Sequence, residues 1–196
     1  LHIMKKTAKF ALVKTIPIFL GYIFLGIAFG LLLQKSGLGV LWAFLISALV
    51  YAGSMQFALV GILTGGLSYI TTAVMTLFIN SRHAFYGLTF IERFKEMKKA
   101  YPYMVFSLTD ETYSLLCSMA RPADFTDREW KQATFFVSLF DQCYWVLGSV
   151  LGALMGELIK FDTTGIDFAM TALFVVICVD QWKAARTHIP AMTGFI

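Results

Sequence analysis

Charge is what this chain has least of. From Ser36 to Ser81 there is no Asp, Glu, Lys, Arg or His in 46 residues, and then Arg82 and His83 arrive together. Charged residues make up 14% of the chain and hydrophobic ones 58%, with a mean hydropathy of +0.72. Soluble domains run at about 25% charged and about 45–50% apolar, so apolar runs of this length exclude a soluble enzyme domain. Cysteine is scarce too, with three in the chain. Cys117, Cys143 and Cys178 lie in apolar segments with no CxxC or His/Cys cluster, so neither a disulfide framework nor a metal site is indicated. No HExxH or GxSxG is present either, and no motif calls for a cofactor. A basic stripe interleaved with exposed aromatics is also missing, which leaves nucleic-acid binding without support. The net charge of +4 gathers at the ends of apolar segments, where it suits phospholipid headgroups.

The residues that are there read as a polytopic membrane protein. As one helix, Ser36–Ser81 would measure about 69 Å, roughly twice the hydrocarbon core of a bilayer. It must fold back, and Ala52-Gly53-Ser54-Met55-Gln56 and Gly65-Gly66 are the two small or polar breaks available. Lys5, Lys6, Lys9 and Lys14 precede an uncharged run, Thr15 to Gln34, that is too long for a signal-peptide core. These lysines favour a cytoplasmic start. Leu1-His2-Ile3, ahead of Met4, carries no weight in the reading.

In chain order the expected segments are Ala11–Leu33; Val40–Thr64, broken near Gly53; Leu67–Ile91; Tyr101–Ala120; Gln132–Leu158; and Ile166–Trp182. This predicts an all-α membrane fold of about six segments, with broken or re-entrant helices. A 3+3 inverted repeat is the expected arrangement, 1–100 and 101–196 being the halves of one domain. Treating Ser36–Ile91 as one crossing plus a re-entrant loop is equally compatible with the charges. The Glu92–Lys99 stretch reads as a solvated loop or cap. Gly26 and Gly30 form a GxxxG, and Gly148, Gly152 and Gly156 a small ridge, both suited to close helix packing.

Several polar residues fall where polarity is expensive. Asp110-Glu111 sits at the centre of an expected span, and Asp141 within another. Asn80 and His83, and Arg82 and Tyr86, are three and four apart and make two adjacent polar helix faces. Gly53 and Ser54 either end one half-helix and begin another, offering free N–H groups to an anion, or sit in a continuous helix with Gln56 as an interhelical donor.

The stretches Gly26-Ile-Ala-Phe-Gly30, Tyr51-Ala-Gly-Ser-Met-Gln-Phe57 and Asn80-Ser-Arg-His83 with Tyr86 resemble the AzlC/YgaZ family. So do Thr109-Asp-Glu111 and Trp145-Val-Leu-Gly148. The likeness runs from about residue 10 to 185, with the motifs in the family's order. The resemblance implies the large subunit of a bacterial inner-membrane exporter of leucine, isoleucine, valine and sometimes methionine. It also implies a small AzlD-type membrane subunit as partner. Members are typically longer at the C-terminus, so a further span is expected beyond this chain.

Each part of a zwitterionic, apolar-tailed substrate then has a candidate contact. The carboxylate is expected at Gly53, Ser54, Met55 and Gln56 or at Arg82, whose planar fork suits carboxylates. Asn80 and His83 flank that contact. The ammonium is expected at Asp110 or Glu111, with Phe57, Tyr86 and Trp145 walling the side chain. Asp110, Glu111 and Asp141 are the candidates for proton coupling, and Asp141 alternatively a partner for Arg82. The competing readings are a plain Arg82–Asp110 or Arg82–Asp141 bridge, a channel for another small solute, and an intramembrane enzyme using His83.

Overall fold

The computed structural model describes residues 2–158 and, beyond them, positions 168, 172, 175, 179 and 182. Residues 1–161 form one compact unit and 162–196 a second. The expected sixth segment, Ile166–Trp182, with Cys178, therefore lies almost wholly outside the described residues. Within them every regular element is helical: α1 (His2–Lys35), α2 (Val40–Leu49), α3 (Gly53–Gly65), α4 (Tyr69–Lys95), α5 (Tyr101–Phe106), α6 (Asp110–Ser118) and α7 (Asp127–Leu158), with one 3₁₀ turn at Lys98–Ala100.

Two of these helices, α1 and α7, are long and apolar enough to cross a membrane. They run parallel, as the ladder of contacts between them shows. Lys6 pairs with Glu129 at 3.3 Å, Thr15 with Tyr144 at 3.1 Å, and Gly26 lies on Gly148 and Ser149. Small residues make this approach possible. A Cβ built on Gly26 would lie 2.9 Å from the Ser149 nitrogen, and one on Gly148 2.9 Å from the Ile23 carbonyl oxygen. Cβ atoms on Gly30 and Gly152 would run into the carbonyl oxygens of Ser149 and Ile27. The two glycine motifs read separately in the sequence are the two faces of one helix contact.

Between these helices the chain does not simply zigzag. α1 ends with Gln34 against Gly156, near the C-terminal end of α7. α2 starts there and reaches the middle of α7, where Gln142 Nε2 donates to the Ala48 carbonyl at 3.1 Å. The chain then breaks: Tyr51 takes φ +42° and Ala52 caps α3 in a non-helical conformation. α3 begins against Trp145, 3.3 Å from a Cβ built on Gly53, and ends at Gly66 with φ +61°. α4 follows at once. Its far end meets the start of α7, Arg93 donating to Thr134 at 3.0 Å and Lys131 pairing with Glu96 at 2.8 Å. At 27 residues α4 is about 40 Å long with Arg82 at its midpoint. α3 touches that midpoint through Ser54, so α2 and α3 form a hairpin that enters and leaves at one end.

α5 and α6 repeat the device from the other end. Leaving the Glu96–Lys131 corner, α5 climbs until Tyr103 donates to Gln142 at 2.8 Å. After Ser107–Thr109, α6 starts beside Arg82 and descends through Thr112, which bonds Asp141, to Arg121, which pairs with Asp127 at the start of α7. The expected single span Tyr101–Ala120 is therefore corrected to a second half-depth hairpin. Three further expectations shift. Asp110 and Glu111 form the first turn of α6 rather than the centre of a helix. The Glu92–Lys95 stretch is the last turn of α4, and α1 extends beyond both of its expected ends while α7 starts earlier, at Asp127. Long helix followed by hairpin thus occurs twice with opposite direction.

The outer faces are apolar: Leu20, Phe24, Leu41, Leu49, Ile70, Leu77 and Phe78 are each two-thirds or more exposed. An apolar outer surface on an all-helical backbone suits a bilayer.

Candidate functional site

The two hairpin tips meet at mid-depth, and Arg82 joins them. Its guanidinium donates to Ser54 Oγ at 2.7 Å and pairs with Asp110 Oδ2 at 2.6 Å. Ser54 is in the first turn of α3 and Asp110 opens α6, so one side chain ties the N-termini of two half-helices. The tips also touch directly, Tyr51 lying 6.1 Å from Phe106 between ring centres.

These two N-termini differ chemically. α3 has no side-chain cap at Ala52, and its first internal bond is Gln56 N–H to the Ala52 carbonyl at 2.8 Å. The N–H groups ahead of it point along a helix whose dipole favours an anion. α6 is capped by Thr109, whose hydroxyl accepts from Thr112 N–H, and it carries Asp110 and Glu111 in its first turn. A favourable end for a carboxylate thus lies across Arg82 from a pair of acids.

Behind the α3 tip the packing is closed. Gln56 is fully buried, its amide donating to Ser47 Oγ at 3.2 Å and accepting from Trp145 Nε1 at 2.8 Å. Trp145 is itself buried, stacked on Phe29 at 6.3 Å and edge-on to Tyr22 at 5.5 Å. Met55 and Phe57 are buried too, Phe57 against Phe29. On α3, Gly53 and Ser54 therefore stand at the tip, while Gln56, together with Trp145 of α7, braces it from behind.

On α4, His83 Nδ1 lies 3.2 Å from the Asn80 carbonyl and its ring 5.9 Å from Tyr86, which stacks on Tyr113 of α6 at 4.5 Å. Asn80 Oδ1 and Asp110 Oδ1 are buried without a hydrogen-bond partner. Asp141 Oδ2 accepts from the Thr112 hydroxyl at 2.8 Å, which ties it to the α6 side. Tyr22 is the residue that sequence reading missed. Buried on α1, it donates to Glu111 Oε2 at 2.7 Å and meets Thr109 Oγ1 at 2.6 Å. A tyrosine in an apolar helix carries no signal that separates this role from packing.

Among the described residues no His/Cys/Asp/Glu group could hold a metal ion.

A family profile described as AzlC protein matches residues 17–159. The chain belongs to the AzlC family. The branched-chain amino acid transport protein AzlC of Bacillus subtilis is 38% identical over 180 residues, 92% of this chain and 70% of that protein. An uncharacterized membrane protein of Helicobacter pylori is 35% identical over the whole of this chain and 85% of its own. The inner membrane protein YgaZ of Escherichia coli is 30% identical over 73% of this chain and 58% of its own. No solved structure is significantly similar. Family membership and the apolar outer faces together make this a membrane protein.

Proposed function

We propose that the chain is a bacterial inner-membrane transporter that exports branched-chain amino acids, coupled to protons and working with a small AzlD-type membrane subunit. One observation carries the reading: Arg82, midway along α4, holds the uncapped N-terminus of α3 and the acidic N-terminus of α6 together. A zwitterion needs an anion site and a cation site a few ångströms apart. In this reading the substrate carboxylate takes the α3 tip at Gly53 and Ser54 with Arg82, and the ammonium takes Asp110 or Glu111. Asn80 and His83 border the contact, and Tyr86 supplies the apolar wall. Gln56, Met55 and Trp145 hold the tip in place. Branched-chain substrates are favoured because the B. subtilis relative is named for transporting them.

The opposed hairpins also support the two-half reading of a single polytopic domain. Counted by hairpins, the join falls ahead of α4 rather than near residue 100. Such halves rock about a site between the two tips.

The test is efflux of labelled valine from preloaded cells making this chain, with and without the small subunit. Efflux that requires the pair and vanishes in Arg82→Ala is the expected result. Absence of efflux from cells with the protein in the membrane would overturn the reading and leave a facilitator of another small solute.

A further inference from the structure

Five side chains from α1, the start of α6 and α7 form a continuous file of hydrogen-bonded oxygens. Glu111 Oε2 is 2.7 Å from the Tyr22 hydroxyl, which is 2.6 Å from Thr109 Oγ1. Thr109 Oγ1 is 3.1 Å from Thr112 Oγ1, which is 2.8 Å from Asp141 Oδ2. Tyr22, Thr109, Thr112 and Asp141 are buried, the last two completely, whereas Glu111 is only partly so. The file therefore has a less buried end at Glu111 and a sealed end at Asp141.

Its hydrogens do not add up if both acids are ionised. Four oxygen–oxygen links need four hydrogens, and three hydroxyls supply three. Tyr22 then donates to Glu111 and Thr112 to Asp141. Thr109 has one hydrogen for two hydroxyl neighbours, so one link sets lone pairs against each other in a buried place. Asp141 Oδ1 accepts no bond at all, which an ionised carboxylate sealed from water does not tolerate without cost. A fourth hydrogen closes every link.

We propose that Glu111 and Asp141 hold one proton between them and exchange it through Tyr22, Thr109 and Thr112. With the proton on Glu111, that acid donates to Tyr22, Tyr22 to Thr109, Thr109 to Thr112, and Thr112 to ionised Asp141. In the exchange each O–H bond breaks and re-forms on the next oxygen, so the proton leaves Glu111 and a proton arrives on Asp141 Oδ2. Nothing is oxidised or reduced. The charged and titratable groups facing the file are Asp110, Arg82 and Tyr86 around Glu111, Tyr51 near both acids and Tyr103 near Asp141. Asp110 precedes Glu111 in the chain and pairs with Arg82 at 2.6 Å. The relay deepens the proton-coupled reading above and rests on it for its use, but the shared proton is measurable without transport.

The experiment is infrared difference spectroscopy of the whole chain reconstituted in lipid, near neutral pH, in H₂O and D₂O. The unmodified protein should show a protonated-carboxyl stretch that shifts in D₂O. Both Glu111→Gln and Asp141→Asn should remove it singly. An amide at either end donates the fourth hydrogen and leaves the other acid ionised. A band that persists in one single variant means that the acids titrate independently and overturns the proposal. So does its absence from the unmodified protein, a result that needs no variant to fold. Valine efflux from the same preparations separates the two readings. A shared proton without efflux keeps the relay and removes the exporter.

Discussion

Arg82 and Ser54 stand 2.7 Å apart, one halfway along a 27-residue helix and the other in the first turn of a 13-residue one. The same guanidinium reaches Asp110 at the head of α6. Three helices therefore share one planar cation, and its geometry matters as much as its charge.

Arg82→Lys tests the geometry. An ammonium on a flexible stem is a point charge and does not reproduce a fork that serves two partners. A charge-assisted bond is worth about 1.5–3 kcal/mol when buried. The pair is 30% and 26% exposed, which brings the expected loss of stability to about 1 kcal/mol. Efflux should fall far more than thermal stability in detergent does. Exchanging the charges, Arg82→Asp with Asp110→Arg, should recover folding but not efflux. Full recovery of both would reduce Arg82 to a plain ion pair and end its assignment to the substrate.

The α1–α7 contact predicts opposite signs for two glycine substitutions. Gly152→Ala places a Cβ against the Ile27 carbonyl, which is backbone and cannot swing aside. The helices must separate, at a cost of about 1–3 kcal/mol. A Cβ on Gly21, in the same α1, meets nothing within 4 Å. There alanine gains helix propensity, about 0.5–1 kcal/mol. Thermal unfolding of the purified variants decides it, and equal effects at the two positions would rule out the close approach.

Trp145 and Gln56 form a second measurable pair. Trp145→Phe keeps most of the packing but removes the N–H that Gln56 Oε1 accepts at 2.8 Å. A buried acceptor left without its donor costs about 1–3 kcal/mol. Gln56→Leu leaves the indole N–H equally stranded. The double variant strands neither partner of that bond, so its loss should be smaller than the sum of the singles by about 1 kcal/mol or more. Strict additivity in a double-mutant cycle would show that the bond contributes nothing.

How much of this was legible in the sequence depended on the kind of signal. The first hairpin was announced by Gly53-Ser54 inside an uncharged run too long for one crossing, and both glycine ridges were visible as spacing. The second hairpin was not. Tyr101–Ala120 has the length of a single span, and its break at Ser107–Thr109 contains neither glycine nor proline. A twenty-residue apolar run has the same composition whether it crosses once or turns back, and only contacts such as Thr112 with Asp141 decide. The same limit hid Tyr22, since its partners Thr109 and Glu111 lie 87 and 89 residues away in sequence.

Backbone conformation outside the site gives the last prediction, again with paired signs. Lys98 is exposed and held at φ +51°, a left-handed conformation that costs an L-residue about 1–2 kcal/mol. Lys98→Gly removes that cost but adds unfolded-state entropy of about 0.5–1 kcal/mol, so a net gain of about 0.5–1 kcal/mol is expected. Gly66, exposed and at φ +61°, is the converse. It ends α3 and feeds α4 after two residues, so a Cβ there strains the turn that carries the hairpin back to its own end. Gly66→Ala should lose about 1 kcal/mol. Calorimetry of both variants in one detergent checks the pair. If Lys98→Gly destabilises while Gly66→Ala is neutral, the left-handed turns at the two hairpin ends are wrong, and with them the route by which the chain returns to α4 and α5.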